Sequence, residues 1–383
     1  MVGVRPAEAV PEGGQRLCLR GLLPAGRVPA QAVELPDQLE AEGHARGPVQ
    51  RAALQQARRE GGRQHLHGHR KGAVVMRVLI LYGGRTSEYA PSFDNGSYVH
   101  SLLCLEPDLG LMTLDPAKVA EGGLVEAIRS HRPDVVFNAT IGGEGENGTV
   151  QAALDAAGVP YTHSPALPSR IAFDKVRAKG VALDHDIDVL PTLYVGSREE
   201  LLAHRTTLPF PCVVKPVYSG SSLGVLICHA PDDLDRDALL AAGPADEIVM
   251  VEAMADTPRN FTVAVLEDRA MAVSESELAE GHSFYSYECK LDWYGSFTRV
   301  PADLPAELAL AMRAAALRMH RAIGCRDISR SDFMVSGGRA RFLEINTQPV
   351  LNDRSLYTDE TGKTLHEPQG FVRRLLDLAV RRS

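Results

Sequence analysis

Lys215-Pro216-Val217-Tyr218-Ser219-Gly220-Ser221-Ser222-Leu223-Gly224 puts a lysine at the end of a β-rich run and follows it with a loop of glycines and serines. Backbone N–H groups in such a loop can approach phosphate oxygens closely, and the lysine adds a point charge. The order differs from a P-loop, where the lysine follows the glycines. Taken alone, the segment also reads as a hairpin turn with a surface lysine.

A second stretch, Arg341-Phe342-Leu343-Glu344-Ile345-Asn346, narrows the choice. The two-residue period of a strand places Glu344 and Asn346 side by side on one face. Oxygen ligands so placed suit Mg²⁺, which takes a few carboxylates and completes its octahedron with water and phosphate oxygens. Asp332 joins them only in one hairpin register. A two-residue turn at Gly337-Gly338 sets Asp332 opposite Leu343, on the wrong face, whereas a three-residue loop over 336–338 sets it opposite Phe342. The three-residue loop is therefore the expectation. Arg330 shares that face if the strand starts early, and a guanidinium there suits a reaction that develops an anion. Glu88, Lys175 and Lys290 complete a scattered set of charges, each of which alone reads as a surface residue.

Outward from these stretches, the apolar run 77–82 feeds Gly83-Gly84-Arg85, and 134–137 leads to Gly142-Gly143-Glu144-Gly145-Glu146-Asn147-Gly148. Thr149 is placed to cap a helix running to Ala157 and stopped by Gly158. Strand, glycine turn and helix in repetition imply an open parallel α/β sheet, whose ligands gather at the carboxyl ends of the strands. From about residue 170 the rhythm becomes α+β, with strand candidates at 212–215, 225–228, 248–251, 261–266, 332–335 and 341–345. A helix is expected over 306–323, opened after Leu304-Pro305 and closed at Gly324.

The first 75 residues differ from the rest. They contain no Phe, Tyr, Trp, Ile, Ser, Thr or Asn, and carry 11 Lys+Arg against 7 Asp+Glu. Such a composition cannot bury enough apolar surface to offset its ordering entropy, so 1–75 is expected to be a disordered extension. A start assigned too far upstream, with Met76 as the true beginning, is the favoured explanation. The alternating His65, His67 and His69 read as a chance cluster in a solvated tail.

Over the 383 residues, 44% hydrophobic and 23% charged composition describes an ordinary globular protein, and a net charge of -8 gives no general reason to bind nucleic acid. No apolar run approaches the roughly 18 residues that span a bilayer. No signal peptide is evident either, so a cytoplasmic protein is expected. Cys18, Cys104, Cys212, Cys228, Cys289 and Cys325 show no CxxC spacing, which argues against a zinc site or a disulfide framework.

In order, these pieces resemble the D-alanine-D-alanine ligases of the ATP-grasp superfamily over nearly all of 76–383. The resemblance is carried by Leu81-Tyr82-Gly83-Gly84-Arg85-Thr86-Ser87-Glu88, Phe137-Asn138-Ala139, 142–149, Phe173-Asp174-Lys175, Val214-Lys215-Pro216 and Gly220-Ser221-Ser222. It continues through Phe284-Tyr285, Tyr287-Glu288, Lys290, Arg330 and Asp332, and ends with Glu344-Ile345-Asn346-Thr347, Pro349 and Ser355-Leu356.

The resemblance implies three domains after the 1–75 extension: an N-terminal α/β substrate domain over 76–165, a central domain over 166–252 and a C-terminal catalytic domain over 253–383, the last two clamping ATP. It implies ATP and Mg²⁺ or Mn²⁺ as cofactors. The reaction implied moves the γ-phosphoryl of ATP to a D-alanine carboxylate, after which the amine of a second D-alanine displaces phosphate, for cell-wall precursor synthesis. Lys175 and Lys215 would bind phosphates, Ser221 and Ser222 would lie in the closing loop, and Lys290 would meet the transferring group. Phe284 would pack on adenine and Glu252 would accept its amino group. Asp332, Glu344 and Asn346 would hold the metal, and Arg330 would face the tetrahedral oxyanion. Glu88 would pair with the first ammonium, while Ser355 and Leu356 would seat the second amino acid. The implied partners are small amino acids, with neither nucleic acid nor membrane; a homodimer is a compatible assembly.

The chain departs from the family pattern at Ile141 (usually His), Asn147 (Asp), Leu291 (Tyr), Asn260 (a ribose-binding Glu) and Val350 (Gly). The nucleotide and metal residues match better than the amino-acid site. Two alternatives follow: an ATP-grasp carboxylate-amine ligase of specialised metabolism, or a non-catalytic nucleotide-binding relative. A nicotinamide dehydrogenase is disfavoured because Gly83-Gly84 lacks the GxGxxG spacing.

Overall fold

The computed structural model describes residues 76–257, 259–278, 296–351, 356, 358–359, 363–364 and 367–382. The 1–75 extension with its three histidines, Phe284, Lys290, Leu291 and Ser355 lie outside the described residues.

β1 (Met76–Leu81), β2 (Leu109–Leu114) and β3 (Val135–Asn138) form a parallel sheet in the order β2-β1-β3. Its strands alternate between two cores. Val78, Ile80, Val135 and Phe137 pack with Phe371, Leu375 and Leu376 of the helix Pro368–Arg381. Leu79, Leu81 and Val136 pack on the other side with Leu154 and Tyr161. Apolar side chains on both faces are what a parallel strand covered by helices requires. The helix that closes one face comes from the far end of the chain, and each of its large apolar side chains contributes about 1.5–3 kcal/mol by burial.

The expected helix after the second glycine motif forms over Thr149–Ala157, but Thr149 is its first residue and Gly148 takes the cap at φ +90°. A Cβ at Gly148 would stand 2.5 Å from the Ala166 carbonyl oxygen, so close packing and left-handed backbone both call for glycine there. Asn147 accepts the Thr149 N–H through its side-chain oxygen at 3.0 Å.

β4 (Thr192–Ser197), β5 (Cys212–Pro216), β6 (Leu226–Cys228) and β7 (Ile248–Ala253) build an antiparallel sheet ordered β4-β7-β5-β6. β8 (Asn260–Leu266), β9 (Arg269–Leu278), β10 (Ser296–Arg299), β11 (Ile328–Ser336) and β12 (Arg339–Asn346) build another, ordered β10-β9-β8-β11-β12. The helix Ala306–Ile323 covers one face of this second sheet through Met312, Ala316 and Met319, and Gly324 ends it at φ +81°.

The β11–β12 hairpin corrects one expectation. Ser336 pairs with Arg339, so the turn has two residues, Gly337 and Gly338, both at positive φ. Asp332 nevertheless faces Glu344, because a bulge between Asp332 and Phe333 leaves Leu343 without a partner and shifts the register by one. Phe333 and Phe342 stay paired in the core, their rings 5.9 Å apart, while Asp332 and Glu344 stay paired on the opposite face. An extra residue in the strand does what a longer turn was expected to do.

Candidate active site

One face of β11–β12 brings Asp332 opposite Glu344 and Arg330 opposite Asn346, with Thr262 of β8 next to Asp332. β11 begins at Ile328, early enough for Arg330 to share that face. Asp332 accepts from the Thr262 hydroxyl at 2.8 Å and pairs with Arg330 at 3.3 Å. Glu344 lies 3.1 Å from the Lys175 ammonium. Among the described residues no group of three or more His, Cys, Asp and Glu is gathered for a metal. The donor set here is two carboxylates and one amide, oxygen ligands of the kind a hard divalent cation takes, with two cationic side chains now balancing the carboxylates.

Lys175 joins this face to the phosphate-loop candidate. Its ammonium also donates to the Ser219 carbonyl, and its backbone N–H to the Val217 carbonyl at 3.4 Å. One helical turn later, Lys179 donates to Glu252 and to the Leu190 carbonyl, the latter at 2.6 Å. Glu252 holds Lys215 with its other oxygen. Burial would push the Glu252 carboxyl up, but the ammoniums of Lys215 and Lys179 hold it below the ordinary carboxylate range. Lys179, Glu252 and Lys215 thus form one buried charge cluster, and Lys175 with Glu344 forms a separate pair. Lys179 was not among the sequence candidates; its spacing of four from Lys175 on one helix was the available signal.

The loop after Lys215 is fixed by side chains. Ser221 donates to Glu88, which is buried at the end of the first glycine turn. A Cβ at Gly142 would stand 2.5 Å from Glu88 Oε2, and one at Gly220 would stand 2.9 Å from it. Two glycine motifs are therefore cut away around one carboxylate. Ser221 and Ser222 take φ +51° and +61°, a left-handed conformation that costs non-glycine residues about 1–3 kcal/mol each.

Glu146 stands within the glycine-rich motif 142–148, where the sequence alone signals no role for it. It is buried, and burial first, then the charge of Glu88, push its carboxyl up to about 8, against the opposing effects of the Gly142 backbone and Arg330. Asn95 was missed as well: it accepts the Leu351 N–H at 2.9 Å and donates to the Ala139 carbonyl at 3.0 Å, tying the segment after β12 to the first sheet. Asn260 lies on β8 opposite Met334, on the Asp332 face. Leu356 is wholly buried in the core with Leu351 and Phe371.

The family model "D-ala D-ala ligase C-terminus" matches residues 180–377. A D-alanine–D-alanine ligase from Acidiphilium cryptum is 38% identical over 290 residues, 75% of this chain and 93% of the relative. One from Cereibacter sphaeroides is 39% identical over 296 residues, 76% of this chain and 92% of the relative. The crystal structure of D-alanine–D-alanine ligase from Bacillus anthracis complexed with ATP superposes with a TM-score of 0.66 at 23% identity, covering 80% of this chain and 98% of that one. The fold is that of the ATP-grasp ligases, and this chain belongs to the D-alanine–D-alanine ligase family.

Proposed function

We propose that this protein uses ATP to join two D-alanine molecules through an acylphosphate, supplying a dipeptide for peptidoglycan precursors in the cytoplasm. The observation that carries the reading is Lys175, which touches both the phosphate-loop candidate at Ser219 and the carboxylate pair at Glu344. Phosphoryl transfer needs positioned cations more than covalent chemistry, and that junction concentrates them.

In this reading Lys175 and Lys215 hold the phosphates, Glu252 keeps Lys215 and Lys179 oriented and accepts the adenine amino group, and the loop at Ser221 and Ser222 closes over the nucleotide. Mg²⁺ held by Asp332, Glu344 and Asn346 supplies charge neutralisation when bound. Arg330 faces the oxyanion of the tetrahedral state. Glu88 orients the first ammonium, and its bond to Ser221 couples that position to loop closure. Lys290 and Phe284 take the transferring group and the adenine, while Ser355 and Leu356 seat the second amino acid. The domain limits 76–165, 166–252 and 253–383 and a homodimeric assembly belong to the same proposal. No helix among the described residues is long and apolar enough to cross a membrane.

The test is release of phosphate from ATP that depends on added D-alanine, with the product identified by mass. Formation of the dipeptide matched to phosphate supports the proposal; phosphate release without dipeptide, or none, overturns it. One observation favours a second reading. Ile141 is buried beside the Glu146 motif where the family has histidine, so a ligase with a different second amino acid is the alternative, and the same assay with an amino-acid panel separates the two.

A further inference from the structure

The loop between β5 and β6 has two feet and a tip, and a wholly buried side chain, Arg198, grips one of the feet. At the entry foot the Val217 N–H donates to the Ile248 carbonyl at 2.9 Å. Gly224, the exit foot, is packed against the entry strand at φ +69°. A Cβ there would lie 3.0 Å from Pro216 Cγ, 2.8 Å from the Ala242 carbonyl oxygen and 2.9 Å from Arg198 Nη2, so space and backbone both require glycine.

Arg198 opens the helix Arg198–His204 behind a capping box at Ser197. Its Nε donates to the Glu247 carboxylate at 2.8 Å, and Nη2 lies 2.7 Å from the same oxygen. Nη2 also donates to the Gly224 carbonyl at 3.2 Å and to the Ala242 carbonyl at 3.3 Å, while Nη1 finds no acceptor among the described residues. The main chain repeats the tie, with the Arg198 N–H on the Glu247 carbonyl at 3.1 Å. One dipeptide therefore serves both feet: the Glu247 carboxylate orients Arg198 at the exit, and the Ile248 carbonyl holds Val217 at the entry.

Burying a guanidinium is costly, and replacing a buried ion pair with apolar side chains is often neutral or stabilising. What the arginine adds is direction. In a trans peptide the C=O and the N–H point opposite ways. A Gly224 carbonyl turned to Nη2 thus turns the Val225 N–H away from it, and that N–H donates to the Ser222 carbonyl at 3.4 Å. Ser222 is one of the two tip residues in left-handed backbone. A line of main-chain contacts accordingly runs from the buried cation to the tip. On the nucleotide-binding role given above to this loop, we propose that Arg198 is a positioning residue: it fixes the peptide plane after Gly224, so that the tip closes over the phosphates about a base that stays in place.

The experiment follows hydrogen exchange of peptides spanning 217–225 in the full chain, with and without a non-hydrolysable ATP analogue and Mg²⁺, beside the Kd of that analogue by calorimetry. In the wild type the analogue should slow exchange there. Arg198→Lys keeps the charge without the fork; the Kd should rise at least about tenfold, and the protection of 217–225 should fall at least about fivefold. Glu247→Gln, at a partly exposed side chain, loosens the grip on Arg198 without emptying the core, and should move both readouts the same way by a smaller factor. That variant covers the case in which Arg198→Lys folds poorly. Folded variants that melt earlier yet bind the analogue and protect the loop as the wild type does would make Arg198 merely structural and overturn the proposal. Wild-type exchange that ignores a bound analogue would do the same. A wild type that binds no analogue at all would overturn the nucleotide reading and this proposal together.

Discussion

The β11–β12 hairpin and the loop from Val217 to Gly224 meet at Lys175, yet they are held by different forces. The hairpin places Asp332, Glu344, Arg330 and Asn346 by backbone register, with Phe333 and Phe342 locking the opposite face. The loop has little ladder of its own. It is kept in place by Ser221 on Glu88, Lys175 on Ser219 and a Tyr218 hydroxyl 3.3 Å from Asp174, and it carries two non-glycine residues in left-handed backbone. A group that must stay put is built on a strand; one that must admit and release nucleotide hangs on side chains that can let go.

If register alone places the carboxylates, moving it should do the most damage. Inserting one alanine between Leu343 and Glu344 turns Glu344 and Asn346 toward the core. Turnover should vanish and the melting temperature should fall; a variant with wild-type activity would show that register is not what positions them. Glu344→Ala removes one of the carboxylates proposed to hold the metal, at a partly exposed position. A loss in kcat of at least about 100-fold is expected, with circular dichroism and melting nearly unchanged. On the other side of the junction, Lys215→Ala should raise the KM for ATP by about 10- to 100-fold, in keeping with a lost charge-assisted contact. Lys179 still pairs with Glu252 in that variant, so melting curves should show only a mild loss of stability beside the larger change in KM.

A pH-dependent effect concerns Glu146. Its folded-state value is raised from 4.5 to about 8, so the fold favours the protonated form. The stability this contributes is present at low pH and is lost as pH rises from 4.5 through about 8. Melting curves of Glu146→Gln, which cannot ionise, should therefore gain on wild type across that window; parallel curves would place the Glu146 carboxyl in a less hostile setting.

The same contrast explains what could be read from the sequence. Period-two patterning in 341–346 and the lysine–glycine–serine order in 215–224 gave the site faces and the loop, because both are local. The helix 306–323 was equally legible from Pro305 and Gly324. The bulge at Leu343 was not: strand pattern and turn rules admit either a longer turn or an extra residue, and only packing of Phe342 against Phe333 decides between them. Lys179 and Glu146 acquire their character from burial beside Glu252 and Glu88, partners 73 and 58 positions away along the chain. The last helix joins the first sheet for the same reason, since contacts between chain ends leave no local trace.

Binding of Mn²⁺ in the presence and absence of ATP, followed by electron paramagnetic resonance, probes the junction itself. Affinity for the ion should rise when ATP is added, and both Glu344→Ala and Lys215→Ala should abolish that gain. Mn²⁺ binding that ignores ATP, or that survives Glu344→Ala unchanged, would mean that the carboxylate face and the lysine-flanked loop do not form one site.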